Sequence, residues 1–151
     1  MAGETAATES PREIGDVLEF LDIVELSDVS YHEIGGRRTV GSGEESQSVA
    51  VLFAWDPSQV VVRTRLQLHA QDAEYKVDVA TFYTLSEPAT LTESAQSEFG
   101  AKVAVMAAYP YLRSGLFDMA TRLRAALPVL GLLRQGQVVL DRVETTTEGS
   151  G

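Results

Sequence analysis

Apolar and polar residues alternate through the middle of the chain. Between positions 59 and 71 one set of alternate side chains is apolar apart from a single threonine, and the other set is mostly polar or basic. The apolar set consists of Val60, Val62, Thr64, Leu66, Leu68 and Ala70. A period of two is typical of a β-strand with one buried face, so this segment is predicted to be a strand.

The next segment repeats this pattern. Residues 74–85 place tyrosine, valine, threonine and leucine side chains on one face of a second predicted strand. A two-residue loop at positions 72–73 pairs Leu68 with Val77, so that apolar side chains meet across the two strands. The two strands are therefore predicted to form an antiparallel hairpin.

Two further strands are predicted upstream. Residues 49–55 carry a third alternating apolar face, and a turn at positions 56–59 sets Phe53 opposite Val62. A fourth strand is predicted within residues 21–33, where valine, isoleucine, leucine and tyrosine recur. The three strands within residues 49–85 share one apolar face, whereas the phase of the fourth strand is ambiguous. Helices are expected to cover one side of this sheet.

A polar, glycine-rich segment follows the first of these strands. Positions 34–47 hold four glycines, two arginines and two glutamates, a composition typical of a loop. The segment is too long for a tight hairpin and is predicted to cross over other strands. Tyr31, Ile34 and Val40 flank it or lie within it, and they are interpreted either as covering a groove or as anchoring the loop to the core.

A helical pattern begins after position 86 and runs to about position 124. Pro110 is predicted to kink or divide this helix, because proline cannot donate the backbone hydrogen bond that a helix interior needs. Beyond it lies a single apolar stripe, interpreted as core or as an oligomer seam. The stripe consists of Leu112, Leu116, Met119 and Leu123.

Strands followed by helices predict the α+β class: a four-stranded antiparallel sheet with the C-terminal helices packed on one face. The length of 151 residues suits one domain. This domain is predicted to span residues 12–143, between disordered polar tails at 1–11 and 144–151.

Composition and charge argue against several classes of function. The net charge is −10, with 22 acidic and 12 basic residues, which argues against nucleic acid and against an anionic membrane surface. The same charge favours basic partner segments. The chain has no cysteine, which excludes disulfides and thiolate metal sites. The first 13 residues lack the apolar core of a signal peptide, and no segment is apolar enough to span a membrane, so a cytoplasmic protein is expected.

No set of residues in the sequence predicts catalysis. His32 and His69 stand alone, without a second histidine at metal-ligand spacing. No nucleophile, acid and base converge, and no phosphate-binding motif lies between a strand and a helix. The sequence therefore predicts a protein that is not an enzyme and has no cofactor and no metal.

The helical region resembles the SecB family of chaperones. The similarity is strongest over residues 98–129 and centres on the motif Tyr109-Pro110-Tyr111-Leu112-Arg113, an aromatic pair around a proline at the opening of the main helix. The chain is closer to divergent actinobacterial SecB-like proteins than to the proteobacterial export chaperone. It departs from the family's usual final helix, because residues 131–140 have the pattern of a strand or extended arm.

The resemblance implies an ATP-independent chaperone that binds unfolded or preprotein chains and delivers them to the export motor ATPase. It implies a homotetramer, a dimer of dimers joined through the helices, with the apolar stripe as the interface. It also implies a client groove between the crossover loop and the region after the main helix. The client-binding residues would be Tyr31, Ile34 and Val40 on one side and Leu127, Val129, Leu130 and Leu132 on the other.

Three alternatives to a general export chaperone remain open at this point. A SecB-like protein can be the dedicated chaperone of a single partner, such as the antitoxin of a toxin–antitoxin pair. A sheet covered by helices can also form a small-ligand-binding regulatory module, which would be expected to have an enclosed pocket. The last alternative, an enzyme, lacks a set of catalytic residues.

Overall fold

The computed structural model describes residues 11–40, 44–56, 58–126, 128 and 138–145, the last range by its backbone. Its elements in chain order are β1 (Arg12–Ile14), α1 (Val17–Leu21), β2 (Val24–Arg38), β3 (Ser46–Asp56), β4 (Gln59–His69), β5 (Ala73–Leu85), β6 (Ala89–Leu91), α2 (Glu93–Glu98), a π-helical segment (Phe99–Ala104), α3 (Val105–Leu123) and β7 (Val138–Thr145).

The main sheet has the strand order β2-β5-β4-β3-β7. The first four strands are antiparallel to their neighbours, which confirms the predicted four-stranded sheet. A fifth strand, β7, pairs with β3 in the parallel direction. It ends at Thr145, two residues beyond the predicted domain boundary. The strand or extended arm predicted for residues 131–140 is a strand over residues 138–140, and residues 131–137 lie outside the described residues.

One hairpin has the predicted register and the other differs by two residues. Phe53 pairs with Val62, as expected, whereas Leu68 pairs with Tyr75 and not with Val77. The hairpin loop is Gln71-Asp72, one residue earlier than predicted, because the Ala70 N–H donates to the Ala73 carbonyl at 2.9 Å. A shift of two residues keeps every side chain on its predicted face.

Strand β2 corrects the predicted loop. It continues through Arg38, so Ile34, Gly35 and Gly36 are paired with β5 and do not belong to a loop. Gly36 is needed for close packing, since a Cβ there would lie 3.0 Å from the Tyr75 ring and 3.2 Å from the Leu123 side chain. Gly36 therefore marks a tight contact between sheet and helix, whereas a Cβ at Gly35 would meet nothing within 4 Å. The remaining connection, residues 39–45, joins the two outer strands of the antiparallel sheet past β5 and β4, as the predicted crossover requires.

The helices cover one face of the sheet. The Thr92 hydroxyl accepts a hydrogen bond from the Ala95 N–H at 3.2 Å, which caps α2. Helix α3 runs without division through Pro110, and the change in helical hydrogen bonding lies upstream, in the π-helical segment. At one end of the molecule β1 and β6 form a two-stranded parallel sheet. The core lies between the helices and the main sheet, and its fully buried members include Phe20, Phe53 and Phe99.

Candidate functional site: a groove beside the end of the main helix

A surface groove of about 600 Å³ lies where the crossover connection, the β4–β5 turn and the segment after α3 come together. It is lined by Glu45, Ser46, Gln47, Leu68, His69, Ala70, Gln71, Asp72, Ala126 and Pro128. None of these ten lining residues is among those predicted for the client site, although the groove lies between the crossover and the region after the main helix.

Asp72 fixes two walls of the groove. Its carbonyl accepts a hydrogen bond from the Thr39 N–H at 2.9 Å, and its side-chain Oδ2 accepts one from the Ala126 N–H at 3.2 Å. Helix α3 ends at Arg124, which adopts a left-handed backbone conformation with φ 56°, so the chain turns away from the helix axis toward the groove. One turn residue thus holds both the crossover and the segment after the helix.

The groove combines apolar and acidic groups. Leu68, Ala70 and Pro128 supply apolar surface, while Glu45 and Asp72 supply carboxylates. Among the described residues, no lysine or arginine lines it. Such a groove can accept an apolar polypeptide segment by burying its side chains, and its charge disfavours an acidic segment.

Tyr75 lies between the groove's turn and the core. Its hydroxyl is buried and has no hydrogen-bond partner in the described part of the chain. Burial raises the pKa of the Tyr75 phenol, the Asp72 carboxylate raises it further, and Arg38 acts in the opposite direction. Tyr75 therefore stays neutral around pH 7 and contributes an apolar ring to the packing of β5 against α3.

The described members of the predicted client site do not line the groove. Tyr31 and Ile34 are exposed by 39% and 36% on β2. Val40 is fully exposed on the crossover, next to the Thr39 that bonds to the turn. The other predicted members lie outside the described residues: Leu127, Val129, Leu130 and Leu132.

Leu68 and Ala70 were missed as groove residues by the sequence analysis. Both belong to the apolar face of β4, whose alternation continues to its last residues. They were assigned to the core because the pattern alone does not reveal where the covering helix stops. Ala126 and Pro128, by contrast, do lie in the region after the main helix where the groove was expected.

The apolar stripe of α3 mainly faces the protomer's own core. Leu112 and Leu116 are 0% exposed and pack with residues of the sheet. This corrects the view of all four stripe residues as an interface, because side chains already covered within one protomer add no area to a contact between protomers. Met119 and Leu123 are partly buried, and for these two the interface role stays a prediction.

The opposite face of the sheet is more polar. Asp78 is 0% exposed there and accepts hydrogen bonds from Arg63 at 2.6 Å and Arg65 at 3.2 Å. A second depression, of about 400 Å³, lies around Gly35 and has a charged lining that includes Arg37 and Glu74, which are ion-paired at 3.0 Å. This lining suits an apolar segment less well than the groove does.

Two further observations on the described residues concern metal binding and membrane spanning. Within ranges 11–40, 44–56 and 58–126, no three histidine or carboxylate side chains come close enough together to hold a metal ion. In the same part of the chain, no helix has both the length and the hydropathy needed to span a membrane.

Comparison with known proteins gives two related results. The chain is 35% identical over 125 residues to the SecB-like chaperone SmegB of Mycolicibacterium smegmatis, an alignment that covers 83% of this chain and 86% of SmegB. Its fold is similar to that of a SecB-like chaperone of Mycobacterium tuberculosis solved in complex with a ChAD peptide from the HigA1 antitoxin. That similarity has a TM-score of 0.64 at 20% identity and covers 78% of this chain and 96% of the other. No family model matches the sequence.

Proposed function

The chain belongs to the family of SecB-like chaperones, and from this premise we propose that it is a dedicated chaperone that binds an extended segment of one partner protein in the groove at the end of α3. The partner class that fits best is the antitoxin of a toxin–antitoxin pair. The observation that carries this proposal is the groove itself, which combines apolar surface with carboxylates and has no lysine or arginine among the described residues that line it.

The choice of partner class rests on a relative. The similar chaperone of Mycobacterium tuberculosis binds a peptide from an antitoxin, and we transfer that kind of partner to this chain. The groove supports the transfer, because an extended segment with apolar and basic side chains would bury its apolar groups against Leu68 and Ala70 and place its charges near Glu45 and Asp72.

A general export chaperone is the second candidate. It would use the same groove for many unfolded chains, hold them ready for translocation and deliver them to the export motor ATPase. In both cases binding to the non-native form delays folding without nucleotide, by mass action alone. A small-ligand module is less well supported, because the groove and the depression around Gly35 are both open to solvent. The homotetramer and the cytoplasmic location remain part of the proposal.

Binding measurements separate the two candidates. Fluorescence anisotropy would compare a peptide from an antitoxin, such as the ChAD peptide of HigA1 that the similar chaperone binds, with an unfolded model protein. A dedicated chaperone is expected to bind the peptide at least about tenfold more tightly, a difference of about 1.4 kcal/mol. Equal affinities would favour the general chaperone, and absence of binding to both would refute a chaperone function.

A substitution that blocks the groove tests whether the groove is the client-binding site. The substitution Ala126→Trp places a large side chain in the groove wall and is expected to weaken peptide binding at least tenfold. Ser97→Trp on α2 introduces the same side chain at an exposed position that does not line the groove, and it is expected to bind like the natural protein. Equal binding by both variants would place the client site elsewhere on the surface.

A further inference from the structure

The outer edge of β3 is covered by a strand from the C-terminal part of the same chain. Strand β3 carries four side chains exposed by no more than 5% on its inner face, namely Val49, Val51, Phe53 and Trp55. Its outward alternates Ala50, Leu52 and Ala54 are half-buried. Without β7 this strand would be an edge with a row of unpaired backbone groups, the kind of edge to which another extended chain readily adds.

The pairing between β7 and β3 is short and interrupted. It consists of three parallel pairs, from Val49–Val138 to Val51–Leu140, and four more that begin at Leu52–Arg142. Asp141 is skipped between the two runs. Parallel pairs are slightly less stable per residue than antiparallel ones, and the other three ladders of the sheet are antiparallel. Of the strands in this sheet, β7 is therefore the one that another extended chain could replace with the smallest loss of hydrogen bonding.

The edge is continuous with the groove. Ser46 and Gln47, the first two residues of β3, line the groove, and the first β7 pair follows only two residues later at Val49. An extended polypeptide that leaves the groove along β3 would meet the backbone groups that β7 now occupies. The sequence of β7 indicates what the edge accepts, since four of its eight residues are valine or leucine, which favour strands or apolar contacts.

We propose that the β3 edge is a second client subsite, which accepts an extended, apolar-rich polypeptide segment by strand addition, and that β7 occupies this subsite in the absence of client. This inference rests on the proposed chaperone function. A client would gain backbone hydrogen bonds along β3 in addition to side-chain contacts in the groove, the mode known as β-augmentation. The displacement of β7 would lower the net affinity and make release easier.

A reversible cross-link tests this proposal in the full-length chain. The natural protein contains no cysteine, so the double substitution Ala50→Cys and Val139→Cys introduces one possible disulfide between two residues that are paired across the ladder. Oxidation locks β7 onto β3, and a reductant releases it. Anisotropy with the antitoxin peptide or an unfolded model protein is expected to show at least tenfold weaker binding in the oxidised form, and natural affinity after reduction.

A matched control locks a different pair of strands. Glu25→Cys with Thr84→Cys joins β2 to β5 at exposed positions away from both the groove and β3, and its oxidation is expected to leave client affinity unchanged. Equal affinity of the oxidised and reduced forms of the variant that links β3 to β7, or failure of its disulfide to form, would overturn the strand-exchange proposal even if the natural protein binds clients well. If the natural protein binds no client, the chaperone function fails, and this inference fails with it.

Discussion

Tyr31 on β2 donates a hydrogen bond from its hydroxyl to the backbone carbonyl of Tyr111 in α3 at 2.8 Å, and their rings meet edge to face with centroids 6.5 Å apart. The contact joins an outer strand of the sheet to the main helix across 80 positions of sequence. Tyr111 is the second aromatic residue of the Tyr109-Pro110-Tyr111 motif. Part of the motif thus has a structural role, because it fixes the helix over β2.

The hydrogen bond gives the first prediction. The substitution Tyr31→Phe removes the hydroxyl and keeps the ring, so the free energy of unfolding is expected to fall by about 0.5–1.5 kcal/mol. Tyr31→Ala also removes the ring contact with Tyr111 and is expected to cost more. Urea denaturation followed by far-UV circular dichroism measures both. Equal stability of Tyr31→Phe and the natural protein would mean that water replaces the bond without loss.

Close approach between α3 and the sheet gives the second prediction. A Cβ at Gly115 would lie 3.1 Å from both the Tyr31 ring and the Val77 side chain. Gly115→Leu is therefore expected to lower the free energy of unfolding by about 1–3 kcal/mol, through forced displacement of the helix. Ser114→Leu, at the exposed neighbouring position of the same helix, is the matched control and is expected to change stability by less than about 0.5 kcal/mol. Equal effects of the two substitutions would contradict the tight contact at Gly115.

The elements that could be predicted from sequence are those with an unambiguous period. The alternation of β3, β4 and β5 determined their buried faces, and the turn at positions 56–59 determined the Phe53–Val62 register. Gly35 and Gly36 were wrongly assigned to a loop, and for Gly36 the reason is that glycine in a loop and glycine under a closely packed helix look the same in a sequence. The extent of the groove depends on where α3 ends over β4, a tertiary relationship that has no local signal.

Alkaline unfolding gives the third prediction. Burial raises the pKa of Tyr83 above its ordinary value of 10.0, an effect that the neighbouring Thr81 side chain partly offsets. Because the pKa is higher in the folded state, the contribution to stability is fully present below pH 10 and is lost as the pH rises through the pKa of the folded state. The free energy of unfolding is therefore expected to fall above pH 10.

The substitution Tyr83→Phe isolates this effect. The phenylalanine ring keeps the edge-to-face contact with Phe99, whose centroid lies 5.1 Å from that of Tyr83, and it has no group to ionise. Urea denaturation between pH 9 and pH 11 is expected to show a shallower loss of stability for the variant than for the natural protein. Parallel curves for the two proteins would show that Tyr83 ionises equally easily in both states.

The last prediction concerns the apolar stripe of α3. It compares a core residue with a candidate interface residue three positions further along the same helix. Leu116 is 0% exposed within one protomer, whereas Met119 is only partly buried. Leu116→Ala is expected to lower the free energy of unfolding by about 2–5 kcal/mol, because it leaves a cavity between helix and sheet. It should not change the native mass of the protein that remains folded.

Met119→Asp is expected to have the opposite effects: it should change the native mass and leave the protomer folded. A charge at a seam between protomers is costly when it loses water without gaining a partner, whereas in an isolated protomer the half-exposed position lets the carboxylate reach solvent. Light scattering is therefore expected to show a smaller native mass, while circular dichroism shows a folded chain. An unchanged native mass for Met119→Asp would show that this stripe of α3 is not the interface between protomers. Because Leu112 and Leu116 are already covered by the sheet, assembly would then have to use a surface away from the stripe.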